Sequence, residues 1–428
     1  MILDGQLTRI NTNLPAPVTS LIGRRAEKAA LKQLLNDPQT RIVTLLAPGG
    51  MGKTLLALEV ARQQLVEFND GVYVVTLSTF LEPEELALLI ADAINCQIYP
   101  DQNIEHQLLT NLGPQHILLL IDNAEYGTRS TAFLTDILRA APHVKILAIS
   151  QIKLNLYAEK IFSLGGLSFT TGDPTTENAD DAITLFVERA TSVRPDFQLT
   201  AQSRQATSEI CRLTQGMPLA LVLAASWAAL LSPDEIVSEL RRGFDFLESD
   251  LRDMPIRQRS IRAIYDYTWT LMSDDERQML TRLSIFRRGF TREAAQNVAQ
   301  GNLRSLMSLL NRAAIQPSAP DGHIEIHEML RLYAEEQLKR AGEYEKFRSI
   351  HSRYFLGLVQ QNEANLKGGK QLETLNLLQA EEENIELAWQ WAIAQRETQL
   401  LMDSLEGLFW YHFMRNRYLA FEIYCRNV

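Results

Sequence analysis

The segment RIVTLLAPGGMGKTLLALEVARQQL (residues 41–65) is the strongest indication of the fold of this chain. In it an aliphatic run is followed by a glycine-rich stretch and then by apolar residues at helical spacing. The run RIVTLL at 41–46 is typical of a strand that is buried on both faces. The loop APGGMGKT at 47–54 ends in the Gly-Lys-Thr of a phosphate-binding loop, in which backbone N–H groups at a helix N-terminus face the ligand. The segment therefore predicts a phosphate loop between a strand and a helix.

Each residue type in this loop has a predicted role. Lys53 is expected to reach the β- and γ-phosphates of a nucleotide, and the Thr54 hydroxyl is expected to bind Mg²⁺. The strict pattern begins with Gly where this chain has Ala47, and a positive φ there would cost a non-Gly residue about 1–3 kcal/mol. A chance Gly-Lys-Thr triplet is the alternative, but the flanking strand and helix argue against it. The predicted phosphate contacts are Pro48, Gly49, Gly50, Met51, Gly52, Lys53, Thr54 and Leu55.

Further aliphatic runs have the character of the first strand, and enough residues lie between them for crossover helices. They are VYVVTL at 72–77, ILLLID at 117–122 and VKILAI at 144–149. This alternation predicts an α/β P-loop NTPase domain with a doubly wound parallel sheet.

The run ILLLIDNAE supplies the carboxylate that a nucleotide triphosphatase needs near its Mg²⁺ ion. Asp122 directly follows the aliphatic residues, although a buried strand whose Asp caps the next turn is the alternative. Asn123 stands where many hydrolases carry a catalytic acid. Glu125 is therefore the nearest candidate for the base that activates water.

Beyond about residue 165 the strand pattern stops and apolar residues recur at helical spacing. A later region has three helical segments followed by a Gly-turned strand pair in SAPDGHIEIHEM (318–329), which is the outline of a winged helix. The final helical region has no clear stop signal, so we expect a helical array that is cut short. The predicted boundaries are 1–20 for an N-terminal arm, 21–165 for the P-loop domain, 166–248 for an all-α helical domain, 249–345 for a winged-helix domain and 346–428 for a C-terminal α-helical segment.

Composition restricts the function classes. The chain has 428 residues, which corresponds to about three domains. Its net charge of −10 disfavours a protein that wraps nucleic acid with its whole surface. No apolar run has the roughly 18 residues of a membrane span, and the N-terminus has no apolar signal region. Cys96, Cys211 and Cys425 are far apart and fit buried thiols in a reducing compartment. We expect a cytoplasmic protein without a membrane partner.

The order of the motifs resembles the STAND class of signal-transduction ATPases, and within it the NB-ARC/AP-ATPase branch. The phosphate loop and LLLIDNAE resemble the Walker A and Walker B motifs of that branch. Three further segments are similar to its Gly-Arg, GLPL and MHD motifs: SLIGRRAE (20–27), QGMPLAL (215–221) and IHEMLRLYA (326–334). The branch includes bacterial regulators with tetratricopeptide repeats, so the C-terminal helices are expected to be TPR-like.

The resemblance implies roles for residues outside the loop. Ile22, Gly23 and Arg24 are expected to pack on the adenine, and Pro218 to lie against the nucleotide. The MHD-like segment implies that His327 lies near the β-phosphate, on a short strand whose alternation directs it away from the face of Ile324 and Ile326. Taken alone, a Gly-Met-Pro triplet is typical of a plain helix boundary, and a lone histidine is usually packed or exposed.

This chain departs from the family pattern at two positions. Glu328 replaces the Asp of the MHD motif. Gln151 stands where the family has an Arg that senses the γ-phosphate, and an amide offers no charged fork. Together with Asn123, this predicts at most a slow ATPase.

The resemblance implies a signalling switch that ADP holds closed and nucleotide exchange opens, with ADP or ATP and Mg²⁺ as ligands. The C-terminal helices would bind an inducer or a protein partner, and the open form would self-assemble.

A winged-helix DNA-binding regulator is the second hypothesis. Residues 251–290 carry eight arginines and five acidic residues, an excess more typical of a solvated face, so nucleic acid is not an expected partner. An ordinary turnover ATPase is the third hypothesis, and Asn123 and Gln151 argue against it.

Overall fold

The computed structural model describes six stretches of the chain: residues 11–17, 19–99, 101–169, 180–249, 259–318 and 322–426. The chain divides into two compact units, the first comprising residues up to 267 with 311–313 and the second comprising 268–310 with 314 onwards. No helix in the described stretches is both long and apolar enough to cross a bilayer.

The first unit begins with a sheet whose strands alternate with helices. The strands are β1 (Ile42–Leu46), β2 (Gly71–Thr76), β3 (Ile117–Asp122), β4 (Lys145–Ser150) and β5 (Glu159–Ser163). The helices around them are α1 (Arg25–Asn36), α2 (Lys53–Gln63), α3 (Pro83–Ala93), α4 (Ile104–Leu112) and α5 (Thr131–Ala140).

All five strands are parallel, in the order β2-β3-β4-β1-β5. Alternate residues of the central strands pack with α3, α4 and α5 in one core, and α2 packs against β1, β3 and β4. The parallel α/β architecture and the four predicted strands are therefore confirmed. Strand β5 was not predicted, because EKIFS has charged residues and is only partly buried at the edge of the sheet. Since β4 lies between β1 and β3, its carboxyl end lies between the ends of the strands that lead to the phosphate loop and to Asp122.

A helical region completes the first unit. Its helices are α6 (Asp181–Val193), α7 (Ala201–Leu213), α8 (Pro218–Ser226), α9 (Pro233–Arg242) and α10 (Ile261–Thr270), the last of which extends into the second unit. Helices α6 to α9 follow the helical pattern that the sequence predicts after residue 165, whereas α10 comes from the segment predicted to begin the winged-helix domain. The region is joined to the segment after β5, where the Leu167 N–H donates to the Gly216 carbonyl over 2.8 Å. Gly216 has a φ of 66°, and a side chain there would collide with the Leu167 backbone.

The described residues of the second unit form helices and a short antiparallel strand pair. Its elements after α10 are α11 (Asp274–Leu283), α12 (Arg292–Val298), α13 (Leu303–Asn311), β6 (Ile315–Ser318), β7 (His323–Ile326), α14 (Glu328–Arg340), α15 (Tyr344–Leu366), α16 (Gln371–Ala380), α17 (Glu382–Ala394), α18 (Thr398–Met414) and α19 (Tyr418–Arg426). Strands β6 and β7 pair antiparallel. The turn of the predicted strand pair, residues 319–321, lies outside the described residues. The winged-helix and TPR-like assignments and the four domain boundaries stay predictions.

The position of His327 differs from the predicted one. Strand β7 ends at Ile326, and His327 is the residue before the first turn of α14, with φ −57° and ψ 130°. The backbone of His327 is still nearly extended, so the expected position on the strand is wrong by one residue.

Candidate nucleotide-binding site

The predicted phosphate loop connects β1 to α2 through two residues in the left-handed region. Gly50 has a φ of 81° and Gly52 a φ of 79°, conformations that favour glycine. Helix α2 starts at Lys53, so the amide N–H groups of its first turn have no partners within the helix. These amides and the helix dipole make the N-terminus of α2 suitable for binding an anion.

Lys53 is held by its own loop. Its Nζ donates to the carbonyl oxygens of Ala47 and Pro48, over 2.7 and 2.8 Å. Burial lowers the pKa of Lys53 to about 8, while the charges of Glu125 and Asp122 oppose that shift. The residue thus places a cation beside the N-terminus of α2, as the sequence predicts for the phosphate contact.

Thr54 and Asp122 meet across the carboxyl edge of the sheet. The Thr54 hydroxyl donates to Asp122 Oδ1 over 3.1 Å, and the Asn123 N–H donates to the same oxygen over 3.0 Å. Burial raises the pKa of the Asp122 carboxyl. A hydroxyl and a carboxylate are hard oxygen donors, and Mg²⁺ is usually bound by one or two such groups together with waters and phosphates. The residues present fit Mg²⁺ in that role, although no cluster of three acidic or histidine ligands occurs among the described residues.

Glu125 is buried against the carboxyl end of β4. Asn123 adopts a φ of 55°, which turns the chain back after β3 into the 3-10 turn that carries Glu125. The Glu125 carboxylate accepts hydrogen bonds of 3.3 Å from the Ser150 hydroxyl, the Gln151 N–H and the Gln151 side-chain amide. Gln151, predicted to lie at the γ-phosphate position, therefore contacts the candidate base directly. Sequence reasoning gave no role to Ser150, which directly precedes Gln151.

Arg24, predicted to pack on the adenine, forms hydrogen bonds within the protein. It is 3% exposed, and its guanidinium donates to the carbonyls of Gly165 (2.6 Å) and Gly166 (3.1 Å). The Arg24 N–H donates to the Asp181 carboxylate over 3.1 Å, and a side chain at Gly23 would collide with that carboxylate. Gly23 and Arg24 together therefore connect the start of α6 with the segment after β5. Ile22, which precedes the pair, is partly buried.

The segment QGMPLAL lies against the phosphate loop. The Leu219 N–H donates to the Gly50 carbonyl over 3.2 Å, and a side chain added at Gly50 would meet Met217. Pro218 is the first residue of α8, and its Cγ lies 3.8 Å from the position of a Cβ built on Gly52. The structure thus brings Pro218 to the loop, as expected, and adds Met217, which sequence reasoning missed.

His327 lies in the second unit and is unusual in its surroundings. Both ring nitrogens are buried, and neither has a hydrogen-bond partner within the described part of the chain. Burial lowers the pKa of the ring to about 4. The neighbouring Glu328 pairs with Arg331 through contacts of 2.8 and 2.9 Å. This ion pair uses the carboxylate at the position predicted to correspond to the Asp of an MHD motif.

Comparison with known proteins gives three relevant findings, and no protein-family model matches the chain. A putative HTH-type transcriptional regulator of Mycobacterium tuberculosis, Rv0890c, is 30% identical over 326 residues, which are 74% of this chain and 35% of the regulator. The chain thus spans about a third of the length of that relative.

A crystal structure from Pyrococcus horikoshii, described as a STAND protein with a tetratricopeptide repeat sensor, PH0952, aligns with 96% of this chain and 59% of that one. The identity is 14% and the TM-score 0.35, so this likeness is too distant to assign a function. A closer match is the uncharacterized protein Rv0894 of Mycobacterium tuberculosis, 30% identical over 357 residues that cover 81% of this chain and 87% of that protein. This chain belongs to the family of Rv0894.

Proposed function

We propose that the chain is an adenine-nucleotide-binding switch of the NB-ARC type, which ADP holds closed and nucleotide exchange opens. The observation that carries the proposal is the contact between Thr54 and Asp122 beside the buried ammonium of Lys53. Lys53 and Thr54 begin α2 and Asp122 ends β3, and the three residues meet at the carboxyl edge of the sheet. A buried strand whose Asp merely caps the next turn would not need the hydroxyl of a phosphate loop as its partner.

In this proposal the phosphates lie on the N-terminus of α2. The amides of residues 50–55 and Lys53 bind the β- and γ-phosphates, and Thr54 and Asp122 hold Mg²⁺, which neutralises phosphate charge when bound. Ile22, Gly23 and Arg24 border the adenine side, with Arg24 acting as a brace for the surrounding backbone. Pro218 borders the phosphate side, and His327 supplies the contact that distinguishes ADP.

Hydrolysis is slow or absent in this proposal. Glu125 is the candidate base, but its carboxylate accepts three hydrogen bonds from the end of β4. These protein donors occupy much of the acceptor capacity of the carboxylate and so compete with a water that would donate to it. Gln151 stands where the family pattern has its γ-phosphate-sensing Arg, and its amide is uncharged, whereas an arginine at such a site can raise hydrolysis by orders of magnitude.

The test of nucleotide binding is to denature the purified full chain and to separate the supernatant by ion-exchange chromatography. We expect close to one ADP per chain, and we expect ADP with Mg²⁺ to rebind to protein that has been stripped of nucleotide. Absence of any adenine nucleotide, together with no rebinding, would contradict the proposal. Omitting Mg²⁺ in a parallel rebinding experiment tests the role assigned to Thr54 and Asp122.

A transcriptional regulator that binds DNA through the hairpin-containing region is the second candidate. The name of the regulator Rv0890c favours it, since that relative is 30% identical over 326 residues. Against it, basic residues of 251–290 form ion pairs: Arg262 contacts Asp245 over 2.6 Å, and Arg288 contacts Glu383 over 2.7 Å. DNA binding by electrostatic contacts would weaken steeply with salt, so fluorescence anisotropy at two salt concentrations distinguishes the candidates.

In the signalling proposal, the C-terminal helices bind an inducer or a protein partner, and the open form assembles with other copies. Light scattering of the full chain with ADP and with a slowly hydrolysed ATP analogue measures that assembly. We expect a larger mass with the ATP analogue.

A further inference from the structure

Helix α10 carries the segment IRAIYDYTWT, whose role the nucleotide site does not explain. Its residues up to Tyr267 belong to the first unit, and the chain passes into the second unit within this helix. Three of its residues, Ile264, Tyr265 and Tyr267, contact different parts of the candidate site.

Ile264 packs on the outer side of the phosphate loop. A Cβ built on Gly49 would lie 2.5 Å from Ile264 Cγ2, and one built on Gly50 would lie 3.4 Å from Ile264 Cδ1. Ile264 thus fills the space that side chains at these two loop positions would need. Because protein interiors are close-packed, a backbone shift at Gly49 or Gly50 must be accommodated by Ile264.

Tyr267 contacts the turn that follows β3. Its hydroxyl donates a hydrogen bond to the hydroxyl of Tyr126, which is 5% exposed. Tyr126 directly follows Glu125, and its N–H donates to the Asn123 carbonyl over 3.0 Å. A displacement of Glu125 therefore moves the partner of Tyr267.

Tyr265 contacts the residue before α8. Its hydroxyl lies 3.9 Å from the sulfur of Met217, and its ring packs edge-to-face on Phe244. Burial raises the pKa of the Tyr265 hydroxyl well above its usual range, so the group stays neutral. Helix α10 thus touches the phosphate loop, the turn of Glu125 and the start of α8 within four residues of its own sequence.

We propose that α10 transmits the state of the phosphate loop to the second unit. The inference rests on the proposed nucleotide binding and names the element that responds to it. Phosphates on the loop fix the backbone at Gly49 and Gly50, and a ligand bound at Thr54 and Asp122 restricts the turn that follows Asp122 and carries Tyr126. Ile264 and Tyr267 are three residues apart and therefore lie on one helix face. Both changes thus act on the same face of α10, and the helix continues to Thr270.

Hydrogen-exchange mass spectrometry on the full chain, with and without ADP and Mg²⁺, tests this proposal. We expect ADP to slow exchange at residues 47–56, and to slow it at least about fivefold in α10 as well. Tyr267→Phe keeps the ring and removes the hydroxyl contact. It should keep the slowing at 47–56 and reduce the slowing in α10 at least about threefold. Tyr73→Phe is the matched control, because it removes a hydroxyl bond to the Asp70 carbonyl in the same unit, away from α10.

Ile264→Val is the second variant. It removes the Cδ1 methyl group near Gly50 and so reduces the contact with the loop, with little risk to folding. It should also reduce the slowing in α10. Slowing at 47–56 with none in α10 of the unmodified chain would overturn the inference and leave nucleotide binding standing. So would ADP-dependent slowing in α10 that stays unchanged in both variants. Absence of slowing in both segments, with no bound nucleotide, would overturn the proposed function itself.

Discussion

Two helix N-termini in this molecule carry the nitrogens assigned to the phosphates, and they differ in how those nitrogens are satisfied. At the start of α2, Lys53 donates to two carbonyls of its own loop and lies near two carboxylates. At the start of α14, both ring nitrogens of His327 are buried, and the described residues provide no hydrogen-bond partner for either.

The difference has a physical consequence for what each group can do. Burial lowers both pKa values, but Lys53, at about 8, remains mostly charged at neutral pH, whereas His327, at about 4, is neutral. Lys53 can therefore attract phosphate by charge from within a preformed loop. His327 can offer only a neutral N–H or accept a proton from a ligand. An unsatisfied buried group costs about 1–3 kcal/mol, so His327 gains from a ligand that provides the missing partner.

The largest expected effect is that of Lys53→Ala, which removes the only cation placed in the loop itself. We expect the affinity for ADP to fall at least about 100-fold, which corresponds to about 2.7 kcal/mol. Isothermal titration calorimetry on nucleotide-stripped protein measures it. Lys160→Ala is the control, because Lys160 lies on β5 and pairs with Asp37 at the end of α1, and its loss should leave the affinity within about twofold. Equal affinities of Lys53→Ala and unmodified protein for ADP would show that Lys53 does not contribute to ADP binding.

The pH dependence of the free energy of unfolding tests whether the ring nitrogens of His327 are buried without hydrogen-bond partners in solution. Its pKa lies at about 4 in the folded chain against 6.5 ordinarily. Between those values the unfolded chain binds more protons, so the free energy of unfolding falls as the pH falls from about 6.5 towards 4. Lowering the pH from 7 to 5 should cost about 2 kcal/mol through this residue.

Urea unfolding at both pH values measures that cost, and His327→Gln should reduce it. The buried His351, with a pKa of about 3, contributes in the same direction and remains in that variant. His106→Gln, at an exposed position, is the control and should leave the pH dependence unchanged. An identical pH dependence in His327→Gln would mean that the ring gains a partner or solvent in solution.

The next effect concerns the selectivity between nucleotides. We expect His327→Ala to weaken ADP binding about tenfold, near the lower end of the roughly 1.5–3 kcal/mol of a hydrogen bond to a charged group. ATP binding should change less than about threefold. Competition titrations with both nucleotides measure the ratio, and small-angle scattering should give a larger radius of gyration for the variant with ADP. Equal losses for both nucleotides, with an unchanged radius, would make His327 a packing residue.

The smallest expected effect is that of Gln151→Arg, which places a cation beside Glu125 at the end of β4. We expect ATP affinity to rise about threefold while ADP affinity stays constant, because only the γ-phosphate would reach the new charge. Gln39→Arg is the matched control at an exposed position outside the site. If ATP affinity and hydrolysis both stay constant, Gln151 does not lie at the γ-phosphate, and its contact with Glu125 is structural.

Local sequence patterns were sufficient for the sheet and the phosphate loop. Continuous aliphatic runs are found where strands are buried on both faces, and Gly50 and Gly52 supply the left-handed turns that only glycine adopts at low cost. The half-exposed β5 has no such run and was missed. The expected strand position of His327 was wrong by one residue, because a hydrophobic pattern does not define the residue at which a strand ends.

Local sequence is enough to place Lys53 and Thr54 at a helix N-terminus and Asp122 at the end of a buried strand, since each position depends only on neighbouring residues. The position of β4 between β1 and β3 depends on packing, and this order brings Gln151 and Ser150 to Glu125. The tertiary structure also decided that Arg24 bonds to Gly165 and Gly166, and that Ile264 of α10 covers the loop. These contacts join residues more than twenty positions apart, so packing rather than local propensity fixes them.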